Sequence, residues 1–260
     1  MSLKRALGLA ALGVAAFELV SAVVEWARPV SLGGRVYWRG RRDERAVALT
    51  FDDGPTSYTE RVLDLLGEAG TPATFFTIGE RVERAPTTAR RIVAEGHEIA
   101  NHTYSLALQP VPRRFYLPAA TGQVARAQQA ITAITGVRPR FFRTPAGQLG
   151  RNLWNEVRRH NLAVVHGALP IALPRWSAGL QERILTRQIA PGAILILHDG
   201  LDSDPGSRAP EATISLLPAL LAAIRERGYR VAPLGTLLGH DRTAPEGLPA
   251  STVRPPGMGR

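Results

Sequence analysis

Five short segments of the chain gather residue types that can together hydrolyse an amide or an ester. They are Asp52-Asp53-Gly54-Pro55, Asn101-His102, Arg143-Thr144-Pro145-Ala146-Gly147, His166-Gly167 and His198-Asp199-Gly200. Two adjacent carboxylates at the end of a strand point in different directions, because side chains alternate across the strand. One can then hold a cation while the other takes a proton. A divalent cation polarises a carbonyl and acidifies a bound water. Arg143 can orient one carboxylate and keep it ionised, and His198 can protonate a leaving group. The chemistry implied is metal-assisted hydrolysis.

Such residues act together only if the fold delivers them to one place. From Arg45 onward the chain alternates between strand-like and helix-like stretches. Expected strands are Ala46–Phe51, Ala73–Ile78, Glu98–Asn101, Arg140–Arg143, Leu162–Val165, Ala193–Leu197 and Arg230–Pro233. Expected helices are Thr59–Ala69, Thr87–Glu95, Gly122–Thr135, Asn152–His160, Gly179–Ile189 and Glu211–Arg227. Most strand stretches are runs of Val, Ile, Leu and Phe without strict alternation, as for parallel strands covered on both faces. Repeating βα units predict an α/β fold with a parallel sheet, open or closed into a barrel. In such folds the loops at the carboxyl ends of the strands carry the reactive groups. All five segments fall at those ends.

The rest of the chain is organised around this domain, expected over residues 45–240. Lys4 and Arg5 precede an apolar stretch from Ala6 to about Ala27, interrupted by Glu18 and Glu25. Its length suits a bilayer crossing, and no convincing small-residue cleavage site follows it. Residues 1–28 therefore read as an uncleaved signal-anchor helix, with the domain held outside the cell membrane. Residues 29–44 read as a basic linker, and 241–260 as a disordered Pro/Gly-rich tail. The net charge is +10, from 32 Lys+Arg against 22 Asp+Glu. No basic run exceeds a short pair and no aromatic residues interleave with one, so nucleic acid is not an expected partner. There is no cysteine, which excludes disulfides, thiol nucleophiles and thiolate metal sites.

Thr50-Phe51-Asp52-Asp53-Gly54-Pro55 resembles the first motif of the polysaccharide deacetylases, the NodB-like carbohydrate esterases. The later segments follow in that family's order: Gly96 to Thr103, Phe142 to Pro145, and Leu195 to Gly200. Leu216 to Val231 is similar to its closing helix and strand. The resemblance implies a distorted (β/α) barrel of about seven parallel strands, with a groove at the strand ends. It implies Asp52 as the base that activates water, Arg143 as its partner and His198 as the general acid. It implies a divalent metal, usually zinc, on Asp53 and His102, with the Ala146 N–H facing the oxyanion. Ile196 and Leu197 would border the acetyl pocket, with Trp176 at the substrate. The substrate would be an acetylated polysaccharide, such as peptidoglycan, a chitin-like chain or an exopolysaccharide.

The chain departs from that pattern at three places. The second metal histidine, four residues after the first, is Leu106 here. Arg175 precedes Trp176 where the family offers an aspartate to hold the catalytic histidine, and Ala146 stands where an aromatic is common. Catalytic zinc normally takes three protein ligands, and His166 is the candidate to supply the third. A catalytically weak or inactive member that binds glycan, or serves the envelope structurally, is the alternative expectation.

Overall fold

The computed structural model describes residues 36–106, 121–145, 151–167, 178–200 and 209–240. The expected anchor over 1–28, the tail 241–260, Ala146 and Trp176 lie outside the described residues. Among the described residues, no helix is long and apolar enough to cross a membrane.

The strands are β1 (Val36–Tyr37), β2 (Ala46–Asp52), β3 (Thr74–Thr77), β4 (Glu98–Asn101), β5 (Phe141–Phe142), β6 (Ala163–Val165), β7 (Ala193–His198) and β8 (Arg230–Val231). The helices are α1 (Ser57–Glu68), α2 (Gly79–Arg84), α3 (Pro86–Ala94), α4 (Gln123–Thr135), α5 (Arg151–Arg159), α6 (Ala178–Gln188), α7 (Ala209–Glu226) and α8 (Leu234–Leu237). All pairings are parallel. The order is β1-β6-β5-β4-β3-β2-β7, with β8 also on β2. This is the expected distorted α/β barrel, and each of the seven expected strands is present. β1 is an addition: the stretch read as a basic linker supplies a strand that pairs with β6.

Side-chain alternation divides the core into an inner and an outer layer. Inside the barrel lie Ala46, Ala48, Phe76, Ala100, Phe141, Ala163, Val165 and Ile194. Outside, Val47, Leu49, Phe51, Phe75, Ile99, Leu195 and Leu197 pack beneath α1, α3 and α7. The alanines leave room for the barrel to curl tightly. Leu234 and Leu237 of α8 close its lower end, and Glu98 fixes α8 by accepting the Gly235 N–H at 3.0 Å. Between β6 and β7 the described structure shows close packing in place of a ladder. A side chain at Gly167 would stand 2.7 Å from the Ile194 carbonyl oxygen.

Candidate active site

The inner positions continue the alternation upward, and there the side chains turn from apolar to polar. On β2, Ala46 and Ala48 give way to Thr50 and Asp52; on β7, Ile194 and Ile196 give way to His198. The register sets Asp52 beside His198. Past the ends of β4 and β5, the same parity brings in His102 and Arg143. Four of the expected site residues thus share one face because their positions differ by even steps from the barrel core.

Arg143 is the centre of this arrangement. It is 3% exposed. Its guanidinium donates from Nη1 to Asp52 Oδ1 at 2.7 Å and to Thr50 Oγ1 at 2.8 Å. Nε donates to the Val165 carbonyl at 3.1 Å, and Nη2 to the His166 carbonyl at 3.3 Å. The Arg143 carbonyl meets His102 Nδ1 at 2.7 Å. Because a carbonyl only accepts, Nδ1 carries the hydrogen, which turns His102 Nε2 toward Asp53.

Asp53 reaches that position through the left-handed region, at φ 73°. This conformation is rare for a residue with a side chain. It turns the carboxylate out of the β2 direction, so that Oδ1 stands 3.4 Å from His102 Nε2. Thr103, also at φ 73°, makes the matching turn after β4. Its N–H is held by Asn101 Oδ1 at 2.9 Å. Burial alone would raise the Asp53 carboxyl, but His102, His198 and Arg81 outweigh it and hold the carboxyl below its usual range. Burial alone would lower His102, but Asp52 and Asp53 outweigh it and raise it. Each member of the pair favours the other's charged form.

A divalent ion suits these two donors in kind and spacing. Two ligands each about 2.0–2.1 Å from a tetrahedral zinc stand roughly 3.4 Å apart. The number of donors falls short: no group of three or more His, Asp or Glu among the described residues could hold a metal. His166 does not complete the set. Its ring stacks on Trp38, with centroids 4.1 Å apart, and its N–H is tied to the Tyr37 carbonyl. The Arg143 guanidinium touches its carbonyl and so sets a positive charge beside it. Burial and that charge push His166 down to about 4, so it is neutral near pH 7. β1, which the sequence reading treated as linker, is what captures this histidine.

Leu197 also departs from expectation. Ile196 is on the inner face beside His198, but Leu197 points the other way into the helix-covered layer. Strand alternation separates the two residues, leaving Ile196 alone of the pair on the active face.

His198 Nδ1 is buried and has no hydrogen-bond partner among the described residues. Asp199 is tied to the end of β2 and the start of α1. Its N–H donates to the Asp52 carbonyl at 3.1 Å. Its carbonyl accepts from Thr56 Oγ1, and its Oδ2 from Thr59 Oγ1, both at 2.6 Å. Thr56 and Thr59 also form the capping box of α1, worth about 1 kcal/mol. Burial pushes the Asp199 carboxyl up to about 7, with Asp53 and Asp52 adding to the rise and Thr59 opposing it.

With this geometry in place, comparisons with known proteins are decisive. A chitooligosaccharide deacetylase from Bradyrhizobium sp. (strain ANU 289) is 37% identical over 206 residues, covering 74% of this chain and 90% of that protein. The profile described as polysaccharide deacetylase matches residues 39–165. The chain belongs to the polysaccharide deacetylase family. Another relative of this chain is a peptidoglycan-N-acetylglucosamine deacetylase from Bacillus cereus. It is 28% identical, with 76% of this chain and 70% of that one covered. Among solved structures, a mutant of a family 4 carbohydrate esterase pseudoenzyme with restored enzymatic activity superposes with a TM-score of 0.68 at 25% identity. That match covers 80% of this chain and 73% of the other.

Proposed function

We propose that the protein removes acetyl groups from an N-acetylated amino-sugar polymer of the cell envelope. The observation that carries this reading is the pairing of two carboxylate dyads at one mouth: Arg143 with Asp52 at 2.7 Å and His102 with Asp53 at 3.4 Å. Asp52, held by Arg143 at 2.7 Å, takes a proton from the attacking water. The water oxygen bonds to the acetyl carbon, and the carbonyl becomes an oxyanion. His198 then gives a proton to the amide nitrogen, the C–N bond breaks, and acetate and the free amine leave. Asp53 and His102 would hold a divalent ion, zinc in the first instance, which would supply Lewis-acid polarisation of the carbonyl. Residues 1–28 would anchor the protein in the membrane, with the domain outside among the polymer.

The test uses the full chain, because β1 begins at Val36 and belongs to the sheet. Acetate release from N-acetylglucosamine oligomers and from peptidoglycan is followed with and without zinc, cobalt or manganese. Release that Asp52→Asn abolishes supports the reading; no release from either polymer with any ion overturns it.

Two features favour a second reading, a glycan-binding member of low activity. The metal position has Leu106 in place of a histidine, and His198 Nδ1 has no partner among the described residues. In that case the oligomer binds without turnover, and Leu106→His creates or raises acetate release.

A further inference from the structure

In each βα unit the helix runs back against its strand, so the helix carboxyl ends gather at the barrel end opposite the candidate site. That end carries an excess of arginine. Arg138 follows α4, Arg158 and Arg159 close α5, Arg187 lies in the last turn of α6, Arg225 in that of α7, and Arg227 just past it. All six are exposed. None has a carboxylate within ion-pair distance among the described residues. Several nearby acids are already committed to other arginines: Asp43 to Arg41, Glu44 to Arg230 and Glu95 to Arg91. A basic residue in the last turn of a helix complements the helix dipole. That accounts for the arginines in the last turns of α5, α6 and α7, and Arg227 Nη1 donates to the Thr186 carbonyl at the end of α6; Arg138 lies beyond the end of α4, outside any last turn. The opposite end holds Asp52, Asp53 and Asp199, which are buried and set against Arg143, His102 and Thr59.

The chain reaches the sheet from the same end. β1 is parallel to β6 and therefore begins with the amino ends of the other strands. The apolar stretch Ala6–Ala27 lies a few residues upstream. We infer that the arginine-bearing end is a docking face for an anionic phospholipid bilayer. Lipid headgroups would lie against Arg138, Arg158, Arg159, Arg187, Arg225 and Arg227. The strand carboxyl ends would then face away from the membrane. Arginines near an anionic surface gain attraction that salt screens. A bilayer is favoured over a soluble polyanion because the apolar stretch Ala6–Ala27 precedes β1 in the chain, and β1 begins at this end.

The absence of cysteine makes the face directly testable. Val137, 38% exposed beside Arg138, is changed in the full chain by Val137→Cys and labelled with a polarity-sensitive dye. Ser57→Cys, exposed at the start of α1, reports the other end. The proteins are bound to vesicles of phosphatidylcholine alone, or of phosphatidylcholine with phosphatidylglycerol. The expected result is a severalfold larger emission change at position 137 with phosphatidylglycerol, lost at about 0.5 M salt. No change is expected at position 57. The combined variant Arg158→Gln, Arg159→Gln, Arg187→Gln and Arg225→Gln should stay bound and folded by circular dichroism, yet lose at least about tenfold of the phosphatidylglycerol preference. Equal responses to the two lipids, an unchanged response in the variant, or an equal response at position 57 would overturn the inference. So would a soluble polyanion such as heparin reproducing the signal in place of vesicles. The readout does not depend on deacetylase activity, so failure of the catalytic reading leaves it intact.

Discussion

Asp53 Oδ1 lies 3.4 Å from His102 Nε2 although β2 and β4 are separated in the sheet by β3. The left-handed turns at Asp53 and Thr103 bring them across that strand. Because only two such donors converge among the described residues, the third ligand is the limiting one. Leu106→His should tighten zinc binding by roughly tenfold or more, read by titration calorimetry and by metal content after dialysis. His166→Ala should leave metal content unchanged, since its ring is committed to Trp38. A loss of metal in His166→Ala would mean that the ring leaves its stack to bind the ion.

Arg143 and Asp52 form a buried ion pair, 3% and 5% exposed. Removing one partner leaves a buried charge uncompensated, a loss of about 3–5 kcal/mol. Arg143→Ala should therefore lower the urea midpoint strongly and abolish acetate release. The double variant Arg143→Met with Asp52→Leu should recover much of the stability and none of the activity. Equal losses of stability in the single and double variants would show that the pair itself, not the orphaned charge, holds this region.

Asp199 should give the stability a pH dependence of defined sign. Its carboxyl is raised from 3.8 to about 7 in the fold. Between those values the folded protein holds a proton that the unfolded chain has released. Stability from this group is therefore full below about pH 4 and is lost as pH rises toward 7. Asp199→Asn removes the ionisation, so it should gain on the wild type between pH 5 and pH 8, by an amount on the order of a few kcal/mol. Urea unfolding of both proteins at the two pH values checks this. A gain at pH 5 and a loss at pH 8 would contradict it.

Gly200 holds the end of β7 against the turn after β2. A Cβ there would stand 2.0 Å from the Asp53 carbonyl oxygen, too close for any side chain. Gly200→Ala must push the two loops apart, and overpacking of this kind typically costs about 1–3 kcal/mol. Because the displaced loop carries Asp53, metal affinity should fall along with the melting temperature. Gly67→Ala, which meets nothing within 4 Å, is the control and should be neutral or stabilising.

Much of the site was legible because each strand hands its last residues to the same end of a parallel sheet. Asp52, Arg143 and His198 were expected at the same ends of their strands, and the structure brings them to one face. Leu197 was misplaced through neglect of strand parity. His166 was read as a candidate metal ligand, but its ring stacks on Trp38, which directly follows a two-residue strand with too little pattern to be seen in sequence. His240 likewise meets the Tyr37 hydroxyl at 2.8 Å, again through β1. A short strand of this kind is recognisable only by the ladder it joins.

The sequence by itself determined the βα order, the family and the chemical types at the strand ends, because hydrophobic runs and local motifs are properties of neighbours along the chain. Tertiary structure decided which of those groups meet. The 3.4 Å approach of Asp53 to His102, the four hydrogen bonds of the Arg143 guanidinium and the capture of His166 by Trp38 join residues far apart in the chain. Such contacts depend on barrel curvature, strand stagger and two left-handed turns, and these are set by how the whole sheet packs.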